Sequence, residues 1–216
     1  MTKRVANGRA NGRTRAPQRT RESILDAATC EFAARGLGGA RVDAIARRAG
    51  ANKRMLYHYF GNKEGLFLAV MERTYAHIRK REEGLHLEAL PPVAAMRKLV
   101  RFTFKYFLAH PHFVTLLNSE NLHRARHIRR SLRVKEINSP VIAALKDILK
   151  RGRDQGVFRA GVDPLQLYIS VAGVCYFYFS NIHTLSTIFA RDLLKRPALD
   201  DRMKHVTDVI LGYLRA

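Results

Sequence analysis

Arg41-Val-Asp-Ala-Ile-Ala-Arg-Arg-Ala-Gly-Ala-Asn-Lys-Arg-Met-Leu-Tyr-His-Tyr-Phe60 contains two short periodic runs broken at Gly50, Ala51 and Asn52. Val42, Ile45, Ala46 and Ala49 share one helical face, and Leu56 and Phe60, at i and i+4, anchor a second helix. The small alanines allow the two helices to approach closely. Asn52 suits the N-cap of the second helix, because its short side chain can accept a backbone N–H that would otherwise lack a partner. With Leu56 and Phe60 turned inward, Lys53, Arg54, Tyr57 and His58 are left on the outward face. This is the pattern of a helix-turn-helix, in which one helix enters the major groove of DNA while the other braces it across the backbone.

Upstream, Thr20 is a candidate N-cap for a first helix, with Glu22 favourable to its dipole. Ile24, Ala27, Ala28, Phe32 and Ala33 form its apolar stripe, and Gly36 suits the position just past its end. Residues 1–17 lack apolar periodicity and repeat Asn-Gly-Arg at 7–9 and 11–13, so a flexible basic arm is expected there. Downstream, Asn62 caps a fourth helix carrying Leu66, Phe67, Val70, Met71, Thr74 and Ile78, and Gly84 and Pro91-Pro92 mark a break.

The charge agrees with a polyanionic partner. The chain has 216 residues, a formal net charge of +21 and a pI near 10.8, far from a typical enzyme. Residues 1–60 hold 13 Lys and Arg against 4 Asp and Glu, hence 13 − 4 = +9, so charge is densest around the motif. Later basic runs such as Arg129-Arg130 read as solvated faces. An apolar fraction of 47% is enough for a core. Two cysteines, Cys30 and Cys175, without a CxxC spacing, imply reduced thiols, and Cys175 in its aromatic surroundings reads as buried and inert. There is no apolar leader, and the longest apolar stretch, Tyr168 to Phe179, falls short of the about 20 residues a bilayer requires. A soluble, cytoplasmic protein that does not engage membranes is the expectation.

From Val93 onward the pattern is again helical. Met96, Val100, Phe104 and Phe107 recur before His110-Pro111; Ile137, Val141, Leu145, Ile148 and Leu149 mark another helix closing near Gly152 or Gly156. Asp163-Pro164 is an N-cap followed by proline at the first helical position. The helix that follows is apolar nearly all round, from Leu165 to Phe179, and so must be buried on more than one side. Asp200 is a candidate cap for a last helix with Met203, Val206, Ile210, Leu211 and Leu214. No convincing strand is present, and the fold class is all-α.

The run from Ile24 to Val70, with Val-Asp-Ala-Ile-Ala-Arg-Arg-Ala-Gly and Leu-Tyr-His-Tyr-Phe-Gly-Asn-Lys-Glu-Gly-Leu-Phe, closely resembles the DNA-binding domain of the tetracycline-repressor (TetR) family. The match covers roughly residues 18–78. A weaker similarity extends through His110-Pro-His-Phe-Val and Glu120-Asn-Leu. The resemblance implies about nine helices: a three-helix head over 18–78 that binds a palindromic operator, and a larger domain over 79–216 that binds a small effector and forms a homodimer through its last long helices. It further implies that Lys53 and Arg54 reach base edges, and that Tyr57 contacts the backbone together with either His58 or Tyr59. Lys63 would bind phosphate. Arg41 is a departure: the family commonly carries Thr or Ser there, and Arg can reach a phosphate but cannot cap. Met55 also replaces a small residue, and packing suits it better than contact with a thymine methyl.

Chemistry beyond DNA binding is sparsely signalled. Glu120, His123 and His127 stand at i, i+3 and i+7, a spacing that can hold a metal on a helix. Arg124, Arg126, Arg129 and Arg130 disfavour a divalent cation there, and an ordinary polar helix without metal is expected. No phosphate loop or nucleophile elbow is present, so neither cofactor nor enzymatic activity is expected. Phe102, Tyr106, Phe113, Asn118, Glu120, Tyr176 and Asn181 mix aromatic and polar character as effector sites do and are the candidate ligand contacts. Two other classes remain: an architectural DNA-coating protein, favoured by the charge, and an enzyme built on the histidine cluster.

Overall fold

The structure, a computed structural model, describes residues 10–216. Among these residues the chain is all-α: α1 (Ala10–Gly39), α2 (Val42–Arg48), α3 (Lys53–Phe60), α4 (Lys63–Glu83), α5 (Pro92–Ala109), α6 (Pro111–Leu122), α7 (Leu132–Asp154), α8 (Pro164–Ser180), α9 (Ile182–Ile188) and α10 (Arg196–Leu214). Two single 3-10 turns, Leu87–Ala89 and Ile128–Arg130, lie between α4 and α5 and between α6 and α7. One isolated antiparallel bridge joins Phe158 to Arg215 and makes no strand.

Local signals set most helix ends. Asn52 Oδ1 accepts the Met55 N–H at 2.9 Å, Asn62 Oδ1 that of Gly65 at 2.8 Å, and Asp163 Oδ1 that of Gln166 at 2.7 Å. Gly36, at φ +63°, interrupts α1 as a left-handed link, and Gly50 does the same between α2 and α3. The Arg41 side chain indeed offers no acceptor to cap α2; instead its backbone N–H donates to Glu31 Oε1 of α1 at 3.1 Å. A carboxylate from a neighbouring helix therefore takes one group at this junction.

Three expected boundaries differ. The basic arm lies outside the described residues through position 9, and from Ala10 the chain is helical, so Thr20 sits within α1 and does not begin it. Asp200 is likewise inside a helix: α10 starts at Arg196 with Pro197 in its first turn, and Asp200 accepts from Arg196 Nε at 2.8 Å, one turn away. α7 begins at Leu132, where Ser131 Oγ accepts the Val134 N–H at 3.1 Å. Buried Val134 carries the apolar period one step upstream of Ile137, between charged neighbours.

Two cores organise the bundle. One joins α1 to α4 through Ile24, Phe32, Ile45, Leu56, Phe67 and Val70, with Phe32 and Phe67 edge-on at 5.2 Å. Each such buried phenylalanine contributes about 1.5–3 kcal/mol. The other joins the end of α4 to α5, α6, α7, α8 and α10. Leu116 of α6 reaches across into the first core, and Phe113 on the same helix belongs to the second.

α8 is buried on one side through Leu167, Val171, Cys175 and Tyr178, while Leu165, Ile169 and Phe177 are each more than half exposed. With Val209 and Tyr213 of α10 they leave an apolar surface that this single chain does not cover. Among the described residues no single helix is long and apolar enough to cross a membrane.

The α3–α4 turn is sterically closed. A Cβ on Gly65 would stand 2.2 Å from the Phe60 carbonyl oxygen, whereas one on Gly38 meets nothing within 4 Å. Gly65→Ala is expected to destabilise the protein by about 1–3 kcal/mol, seen as a lower thermal midpoint, with Gly38→Ala near neutral.

Candidate DNA-reading head and ligand cavity

α3 presents its outward face as the periodicity predicts. Leu56 is buried and Phe60 half-buried beneath the Arg21 guanidinium, while Lys53, Arg54, Tyr57 and His58 are exposed. Tyr59 is half-buried against the first core, which separates it from His58: of the two, His58 has the exposed ring. Met55 also packs partly on that core. Lys53 Nζ lies 3.1 Å from the Asp43 carboxylate of α2, which raises the lysine pKa through hydrogen bonding and charge. This pair is exposed and so contributes little to stability. Lys63 Nζ donates to the Gly38 carbonyl at 3.1 Å, which holds the ammonium beside the end of α1. Arg41 is exposed at the start of α2.

The second site is a cavity of about 540 Å³ in the C-terminal bundle. Apolar walls come from Leu99 and Phe107 of α5, Phe113 and Leu117 of α6, Leu145 of α7 and Val171 of α8. Its polar groups are concentrated on α4, where Tyr75, Arg79 and Glu82 follow one another at helical spacing, and on α8, where Tyr168 and Tyr176 face them. Arg79 is 5% exposed; its Nη1 donates to Glu82 Oε2 at 2.5 Å and its Nη2 to the Tyr168 hydroxyl at 3.0 Å. The buried Arg79 Nε has no hydrogen-bond partner. Burial pushes the Glu82 carboxyl up to about 7 in spite of the opposing arginine, and the Tyr75 phenol up to about 12.

The candidate ligand residues divide. Phe113 and Tyr176 line this cavity, and Asn118 accepts the Tyr176 hydroxyl from outside the lining. Phe102 and Tyr106 instead line a separate outer groove with Arg97, Lys98, Arg101 and Lys105. Asn181 ends α8, donating from Nδ2 to the Phe177 carbonyl at 3.0 Å, away from the cavity lining.

Glu120 corrects the reading of its segment. The polar helix expected through His127 stops at Leu122, and Arg124 and Ala125 take left-handed backbone at φ 54° and 57°. The chain folds back so that the Glu120 carboxylate accepts the N–H groups of His127 and Ile128 at 2.8 and 2.9 Å, with His127 Nδ1 2.7 Å from its other oxygen. Both side chains are 2% exposed. The His127 ring packs edge-on against Phe67 of α4 at 5.1 Å, and Ser131 donates to Glu72 at 2.6 Å. Arg126 and Arg130 reach Glu64 at 3.3 and 3.7 Å. Glu120 thus fastens the α6–α7 connection to the head and does not line the C-terminal cavity. Among the described residues no group of three or more His, Cys, Asp and Glu could hold a metal. Cys175 is fully buried, and burial pushes its thiol up to about 12.

Sequence reasoning missed Arg79 and Glu82 because Arg79-Lys-Arg-Glu-Glu83 reads as a solvated charge run. Their helical phase with Tyr75 and Ile78 was the available signal. Glu82 binds protons more tightly in the folded chain than unfolded, so between about pH 4.5 and 7 its contribution to stability falls as pH rises. Glu82→Gln is expected to flatten that slope in thermal unfolding measured from pH 5 to 8, whatever its uniform cost.

Residues 24–70 match the family model described as bacterial regulatory proteins, tetR family, and residues 92–210 that of the tetracyclin repressor-like C-terminal domain. The HTH-type transcriptional repressor NicS of Pseudomonas putida is 39% identical over 203 residues, covering 94% of this chain and 96% of its own. The HTH-type transcriptional repressor SCO4008 of Streptomyces coelicolor is 32% identical over 162 residues, 73% of this chain and 78% of its own. The regulator FadR from Bacillus subtilis, solved in complex with stearoyl-CoA, shares the fold at a TM-score of 0.67 and 18% identity, covering 90% of this chain and 99% of that one.

Proposed function

The chain belongs to the tetR family of bacterial regulatory proteins, a DNA-binding transcriptional regulator, and from that premise we propose a ligand-responsive homodimeric repressor of a roughly palindromic operator in the cytoplasm. Residues 18–78 form its reading head and 79–216 its effector-binding and dimerisation part. The observation that carries the reading is α4: its first turns build the head core and its last turns carry Arg79 and Glu82 into the cavity.

At the head, Arg54 and Lys53 open α3, where side chains reach base edges; Arg54 suits a bidentate pair with guanine. The exposed Asp43 partner gives Lys53 up at little cost. Tyr57, His58, Lys63 and Arg41 face phosphates, and Asn52 holds the helix start; Tyr59 acts through packing, as its half-buried ring indicates. Phosphate contacts set register and base contacts set sequence.

The apolar face of α8 and α10 is the surface that a second copy covers. Two heads related by that two-fold then read half-sites about one DNA turn apart. Effector in the cavity pushes on α4 and α6 together and changes the spacing of the heads. The size of the response is limited by the effector's preference for the non-binding state.

The first test is competition binding by fluorescence anisotropy at about 150 mM salt, where screening suppresses loose charge contacts. Duplex flanking the protein's own gene is competed against scrambled duplex. A preference of about a thousandfold is expected of an operator reader. Equal binding with a steep salt dependence favours the second reading, an architectural protein, for which the +21 charge is the supporting observation.

Within that assay, Arg54→Ala is expected to cost about 1–3 kcal/mol on operator and to relax discrimination. Lys63→Ala weakens both duplexes alike and lowers the salt slope by about one. Phe177→Glu, which places charge on the exposed α8 face, is expected to shift sedimentation from dimer to monomer.

A further inference from the structure

The C-terminal cavity contains an unusual combination: apolar walls, and a guanidinium that is almost fully buried yet incompletely partnered. Arg79 offers five N–H donors. One goes to Glu82 and one to the Tyr168 hydroxyl, while Nε meets no acceptor. A buried charged donor without a partner is costly, and the usual remedy is an anion with two oxygens in the plane of the fork. Glu82 is a poor permanent occupant of that role. Its side chain is 9% exposed, and burial raises its carboxyl to about 7, so that about half is neutral at pH 7.

From this geometry, and resting on the reading of this cavity as the effector site, we infer that the ligand is a monoanion with an apolar body, in the simplest case a carboxylate, whose charge lies on the Arg79 fork in place of Glu82 while Glu82 takes up a proton from solvent. Above pH 7, where Glu82 is ionised beforehand, the charge of the cavity is unchanged by the exchange. Arg79 stays cationic, one carboxylate replaces another as its partner, and the displaced carboxyl is neutral. Phe107, Phe113 and Leu145 receive the apolar body. The groups facing Glu82 allow it: the Tyr168 hydroxyl already accepts from Arg79, α5 presents Leu99 and Thr103, and α7 presents Val141 and Leu145. Glu83 and Glu88 line a smaller cavity that Glu82 also borders.

The experiment is titration calorimetry on the full chain with matched acids and primary amides: benzoate and benzamide, phenylpropionate and its amide, hexanoate and octanoate and theirs. Each is measured in two buffers of different ionisation enthalpy. At least one acid is expected to bind about tenfold or more tighter than its amide, with uptake of nearly one proton at pH 8 falling to about a tenth at pH 6. Glu82→Gln keeps the preference for the acid and abolishes the proton uptake. Arg79→Met abolishes the preference, and Arg79→Lys, which keeps the charge and loses the fork, reduces it. Amides binding as well as acids, a preference that survives Arg79→Met, no proton uptake, or no acid bound at all would each overturn the inference. Adding the bound acid to the anisotropy assay separates the two readings. An acid held by Arg79 that leaves operator affinity unchanged removes the effector role and keeps the anion site. Operator release by a neutral compound in the same cavity keeps the role and removes the anion.

Discussion

One continuous helix belongs to two cores, and the rest of the structure depends on it. Leu66, Phe67, Val70 and Met71 of α4 are sealed into the head, and Ile78 is sealed into the C-terminal bundle. Lys63 and Glu82 are about 30 Å apart along a regular helix. Close-packed cores move between discrete arrangements and do not deform smoothly. In the proposed response, a change in the packing around Arg79 reaches Lys63 and α3 as a displacement of a rod. α6, packed on α1 and α8, likewise places Phe113 in one core and Leu116 in the other. The Glu120–His127 contact and the Glu64 and Glu72 bonds tie the α6–α7 connection to the same helix.

The same charged chemistry behaves differently at the two ends of that rod. On α3 and α2, Lys53 and Asp43 meet in water, where a pair is weak and easily exchanged for a phosphate. At the other end Arg79 and Glu82 meet away from water, where removing one partner is severe and substituting another anion is not. A surplus of cations on the surface suits a polyanion of any sequence, while one buried guanidinium suits a single small anion.

Much of the architecture was legible because it is written in local signals. The turn at Gly50, the Asn52, Asn62 and Asp163 caps, the proline after Asp163 and the apolar stripes of α2 to α5 all act within one or two helical turns. Where a local signal was ambiguous the reading slipped. Thr20 and Asp200 are good cap residues that lie inside helices, because neighbouring turns continue upstream of them. α7 starts at Leu132, ahead of Ile137, because Ser131 caps it. Glu120 looked like a ligand contact and is a buried fastening, because two left-handed residues in sequence, Arg124 and Ala125, turn the chain back upon it.

The amino-acid sequence by itself determined the all-α class, the helix-turn-helix, and the outward set Lys53, Arg54, Tyr57 and His58, since each follows from the helical repeat and from which residues avoid water. Only the tertiary structure decided which polar groups share the cavity. Arg79 and Glu82 sit in a charge run that reads as solvated, and they are buried because α5, α7 and α8 close over the end of α4. Tyr59 was separated from His58 in the same way, by the helices packed on either side of α3. Periodicity tells which face of a helix is apolar; it does not tell which distant helix will cover a charged one.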